Sequence, residues 1–115
     1  MTIYHIARLS DWQDALAVGE YRISTAGLSL TQVGFIHASG ADQVAATAER
    51  FYKDQDAGLC VLVIDDAAVR RAGTEVIAED AGGGELFPHI YGPLRPEWVT
   101  EVKPAAFGSD GRFVW

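Results

Sequence analysis

A chain of 115 residues is close to the modal domain size and can bury a single core, so one domain spanning residues 1–115 is expected. With 49% hydrophobic and 22% charged residues the composition excludes disorder, and no apolar run approaches the ~20 residues of a membrane-crossing helix. The formal net charge of −7, with scattered basic residues and only Arg70 and Arg71 adjacent, excludes tight binding to DNA, which needs clustered lysine and arginine.

Ile3-Tyr-His-Ile6 reads as a first strand, and the absence of a basic-then-apolar start argues against a signal peptide. Ser10 and Gln13 have the spacing of a capping box for a helix over 11–18, with Trp12, Ala15 and Leu16 on one face and Gly19 as a left-handed cap. Residues 20–25 form a weak strand or arm, and 27–30 are irregular with room for one helical turn. Gly34-Phe-Ile-His-Ala-Ser39 is a short strand that ends in a second cap signal, Ser39 with Asp42 three residues on. Val44, Ala45, Ala48, Phe51 and Tyr52 then make the apolar stripe of a helix over 40–53.

Leu59 to Asp65 is continuously apolar, as for a strand buried on both faces. The lone Cys60 inside it cannot form an internal disulfide, which fits a reducing cytoplasm, and an apolar strand keeps its thiol protonated. Residues 66–71 form one or two helical turns closed by Gly73, and 74–79 alternate as a half-buried strand. Gly82-Gly-Gly84 is a loop tip without the lysine of a phosphate-binding loop. Leu86 to Tyr91 is extended, and Pro88 places it at an edge or a bulge. A turn at 96–98, a last strand at 99–102 and a tail whose Phe113, Val114 and Trp115 fold back complete the chain. The second half has no room for full crossover helices. The fold class is therefore α+β, a strongly bent, mostly antiparallel sheet with two main helices against it.

The three histidines, His5, His37 and His89, all lie in short apolar runs flanked by aromatics. Residues i and i+2 of a strand share a face, which sets His37 beside Ser39 and His89 beside Tyr91. Two such pairs around one cleft would suit proton transfer or would grip the hydroxyls of a ribose. The plain alternative is that the rings only knit the sheet. Three histidines could also hold zinc, yet the usual close pair is missing, so no metal is expected. No G-x-S-x-G elbow supports a nucleophilic serine. Arg8 and Arg22 flank the motif strands as solvated charges or as a clamp for phosphate or carboxylate.

Tyr4-His5, Phe35 to Ser39 and Phe87-Pro-His-Ile-Tyr-Gly-Pro-Leu94 together resemble a bacterial family known as domain of unknown function 952, over nearly the whole chain. At fold level that family is similar to ADP-ribosyltransferases, including RNA 2′-phosphotransferases that use NAD. The resemblance implies that His5 orients the ribose of NAD, that His37 or Ser39 lines a nicotinamide pocket and that Arg22 meets phosphate. His89 or Tyr91 would then polarise or deprotonate the attacking group. The glutamate that the transferases carry in their third motif is absent, with Glu85 only nearby. Two functions follow as expectations: a small cytoplasmic transferase-like enzyme binding NAD or a related nucleotide, or a non-catalytic module for a small molecule or protein.

Overall fold

The computed structural model describes residues 1–54, 58–80 and 82–115. Strand β1 (Thr2–Arg8) pairs with β5 (Leu59–Asp65), β5 with β8 (Val99–Phe107), and β8 with β9 (Phe113–Val114). A second sheet sets β7 (Leu86–Ile90) between β4 (Ile36–His37) and β6 (Val76–Asp80). Tyr4 and Ser39 exchange backbone N–H···O bonds of 2.8 and 2.7 Å, which carries the ladder from one sheet into the other. The small ribbon β2 (Ile23–Thr25) and β3 (Leu28–Ser29) precedes β4. Strand pairings among the described residues are antiparallel. The architecture is thus the expected α+β, a curled antiparallel sheet with two main helices, α1 (Leu9–Val18) and α3 (Val44–Phe51). The shorter α2 (Leu30–Val33) and α4 (Asp66–Arg71) fill connections.

Alternation decides the two cores. Ile6 of β1 and Leu59 and Val61 of β5 pack with Val44 and Ala48 of α3, Tyr52 and Phe113. Ile3 and Ala7, with Cys60, Leu62 and Ile64, pack on the other face against Trp12 and Ala15 of α1, Val69, Ile36, Ile90 and Trp98. Both faces of β5 are therefore covered, which is why its sequence is apolar without interruption. No helix among the described residues is long and apolar enough to cross a membrane.

Several local expectations are corrected. Helix α1 starts at Leu9, so Ser10 is already inside the first turn; its N-cap is Arg8, which makes no side-chain cap but bonds Asp11 at 2.6 Å. A capping box does exist, at Ser29 and Gln32 of α2. Ser39 caps nothing, because its backbone is spent on Tyr4 and α3 begins five residues later, at Val44. Leu16 and Phe51 are exposed, although their spacing puts them with the apolar stripes. Gly19 does adopt the left-handed cap, at φ 90°. The strand expected over 99–102 runs to Phe107 and is followed by one more, β9; there Phe113 is buried and Val114 stays exposed, while Trp115 packs edge-on against Tyr4 at 5.1 Å.

Pro88 lies in the middle strand of its sheet, not at an edge. Its carbonyl accepts from Ala38 N–H at 2.9 Å, so the side lacking a donor faces β4. That is where β4 ends, at His37, and the chain swings over to β1. The proline thus lies just where the pairing of β7 with β4 gives out.

Candidate functional site

One face of the second sheet carries the chemistry. Ile36, Ala38, Val76 and Ile90 point into the core, and alternation turns Phe35 and His37, then Phe87, His89 and Tyr91, to the opposite side. His37 and His89 are direct cross-strand partners, and Ile77 of β6 lies opposite His89 on its other side. Glu79 is paired with Phe87, one step along the same face, and so reaches His89 diagonally. This face, the ribbon β2–β3 and the side of α3 enclose a cleft of about 620 Å³.

Within it runs a chain of three side chains. His89 Nδ1 lies 2.9 Å from Glu79 Oε1, and His89 Nε2 lies 3.3 Å from His37 Nδ1. Tyr91 OH donates to the same Glu79 oxygen. A carboxylate can only accept, so His89 carries its proton on Nδ1 and offers a lone pair at Nε2. With His89 as the neutral tautomer, His37 donates from Nδ1, and His37 Nε2, a buried atom, meets no protein partner. Phe35 stacks on His89 at 3.9 Å and 13°, which fixes the orientation of that ring. Burial pushes His37 down to about 4, with the neighbouring His5 and His89 adding to the effect. Its imidazole is therefore neutral, with its lone pair available, at neutral pH. The hydrogen bonds from Tyr91 and then His89 hold the Glu79 carboxyl below its ordinary range, and the same Glu79 contact raises the Tyr91 phenol.

Of the residues singled out in the sequence, His37, His89 and Tyr91 line the cleft together. His5 adjoins this group without lining the cleft. It lies on the inner face of β1, 2% exposed, with Nδ1 donating to the His37 carbonyl at 2.6 Å and Nε2 accepting from Tyr21 OH at 2.8 Å. Both nitrogens are occupied, and burial lowers its pKa to about 4. Ser39 is buried behind Thr47, with the two hydroxyls 3.4 Å apart. Arg22 and Arg8 also fall outside the lining, each paired to a near neighbour, Glu20 and Asp11. Glu85 does line the cleft and accepts from Gln43 at 2.9 Å. Among the described residues no group of three or more histidine, cysteine or acidic side chains is arranged to hold a metal ion.

Sequence reasoning missed Glu79, Phe35 and Ser24. Ser24 is buried, lines the cleft and, like His37 Nε2, has an unpartnered polar atom in its Oγ. Glu79 could have been found: a hairpin centred on the glycine tip, at Gly83, pairs Glu79 with Phe87 and Ile77 with His89. The charged lining consists of Asp42, Glu79, Asp80 and Glu85 against Arg50, an excess of negative charge.

Residues 6–102 match the profile of a family described as protein of unknown function (DUF952). Among solved structures, the crystal structure of protein CC0527 from Caulobacter crescentus is 29% identical, covering 99% of this chain and 94% of that one with a TM-score of 0.83. The solution structure of CC0527 gives a TM-score of 0.77 at 29% identity over 96% and 90% of the two chains. No curated protein matches the chain.

Proposed function

We propose, for a chain that belongs to the family described as protein of unknown function (DUF952), that the cleft binds a small molecule and that His37 takes a proton from it. The observation that carries this reading is the buried, unpartnered Nε2 of His37 at the end of the Glu79–His89–His37 chain. A substrate O–H or N–H at that nitrogen would give up its proton to Nε2. The Nδ1 proton of His37 then passes to His89 Nε2, so His37 is neutral again with its tautomer reversed. The positive charge comes to rest on His89, against the Glu79 carboxylate, rather than on the half-buried His37 ring. Glu79 stays ionised and Tyr91 steadies it. Such activation of a hydroxyl or amine would serve group transfer.

The relay is tested by long-range ¹H–¹⁵N spectra of histidine-labelled protein. His37 and His89 should both be Nδ1–H tautomers at neutral pH; a proton on His37 Nε2 would remove the base. His37→Gln should lower turnover of any substrate found by at least about a hundredfold, the usual contribution of a positioned base.

A second reading takes NAD as the ligand. The aromatic walls of Phe35, Phe87 and Tyr91 support it, since they offer a nicotinamide ring stacking surface, and the cleft has the size of a small-molecule site. The pyrophosphate fits the lining poorly, with four carboxylates around it and Arg50 as the lining cation, so no step is derived through NAD. Calorimetry with NAD and ADP-ribose decides: no heat at millimolar ligand removes this reading. Binding without release of nicotinamide would favour a non-catalytic module.

A further inference from the structure

We propose that the cleft selects a small, flat organic cation, of the amidinium or guanidinium class, that donates N–H groups to its floor. The proposal rests on the base reading only for the part His37 plays; the ligand class follows from the lining itself. Three features converge. The carboxylates come from two separate elements, Asp42 from the turn before α3 and Asp80 and Glu85 from either side of the β6–β7 hairpin, so their fields add in the one cleft that they line. Arg50, the cation of the lining, already lies over the Phe51 ring at 5.1 Å. Tyr91, 38% exposed, adds an aromatic face to the same lining, and π faces attract cations.

The floor supplies the third feature. His37 Nε2 presents a lone pair and Ser24 Oγ has no protein partner, and both atoms are buried. A carboxylate has no proton to offer His37, and it would meet the acidic rim, as would a phosphate. A neutral amide satisfies the floor and gains nothing from the rim. A planar cation with several N–H groups can do both while lying against an aromatic ring.

The experiment is a titration of the full chain with benzamidine, benzamide and benzoate, which share a ring and shape but differ in charge. Benzamidine should bind at least about tenfold more tightly than benzamide, with benzoate weaker still, and the gap should narrow as sodium chloride is raised. The double substitution Asp42→Asn with Glu85→Gln, checked for folding by its amide spectrum, should shrink that gap severalfold. Equal affinities, the reverse order, or no binding of benzamidine at millimolar concentration would overturn the proposal. The two readings fail separately. Benzamide binding as well as benzamidine, with a shift at His37 Nε2, keeps the base and removes the charge selection. Benzamidine binding that leaves His37 Nε2 unmoved keeps the cation site and removes the base.

Discussion

His5 lies between two fixed groups, the His37 carbonyl and the Tyr21 hydroxyl, and its tautomer is set by them. It fixes the backbone of His37, whose ring faces the cleft, so it acts as a positioning residue behind the wall. Tyr21→Phe leaves a buried imidazole nitrogen unpaired and should lower stability by about 1–3 kcal/mol, read from the urea midpoint. Ser24 predicts the opposite sign. Its hydroxyl is buried and unpartnered, so Ser24→Ala removes a group that already carries its desolvation cost. Stability should hold or rise by up to about 1 kcal/mol while affinity for a cleft ligand falls. A loss of stability instead would mean that the hydroxyl is satisfied in solution.

At the scale of elements, the β6–β7 hairpin carries Glu79, His89 and Tyr91, and one side chain ties it to the helix side of the cleft. Gln43, just before α3, donates to Glu85 at 2.9 Å and to the Leu86 carbonyl at 2.8 Å while accepting from Gly40 N–H at 2.8 Å. These bonds are exposed to water, so Gln43→Ala should cost only about 0.5–1 kcal/mol globally. Its larger effect should be local, with faster amide exchange in β6 and β7 than in β1 or β5. Uniform acceleration across both sheets would show that the tie is not what holds the hairpin. The sequence made this hairpin visible as two extended runs around three glycines, and its alternation put His89 and Tyr91 on one face. What stayed hidden was long-range pairing. Local spacing sets Ser39 beside His37, but Pro88 ends that ladder and the bond to Tyr4 carries Ser39 into the core. Arg22, read as a solvated charge or a clamp, is instead paired with Glu20 two residues away, a partner that was in view in the sequence.

For the molecule as a whole, the three histidines were legible as neighbours because each sits on a strand, and the curl of the sheet brings the strands together. That same curl buries His5 and half-buries His37, enough to tie stability to pH. Burial lowers both His5 and His37 from an ordinary 6.5 to about 4. In the unfolded chain both imidazoles take up protons near pH 6.5, whereas the folded protein resists doing so until about pH 4. Above this window neither state is protonated at these sites, and they leave stability independent of pH. Within it the unfolded state binds more protons, so stability falls as the pH falls. Below it both states are charged and these two groups add no further loss. A depression of this size is worth on the order of 3 kcal/mol for each ring once the window has been crossed. Domains of this size are stable by roughly 5–15 kcal/mol, so the pair can remove a large part of the margin before most carboxylates titrate. Urea unfolding at a series of pH values should therefore show a flat plateau above pH 7 and a steep decline from about pH 6.5 downward. If the midpoint were unchanged between pH 7 and pH 5, within roughly the span where unperturbed histidine titrates, the two rings would not be dry, and the neutral lone pair assigned to His37 would lose its physical basis.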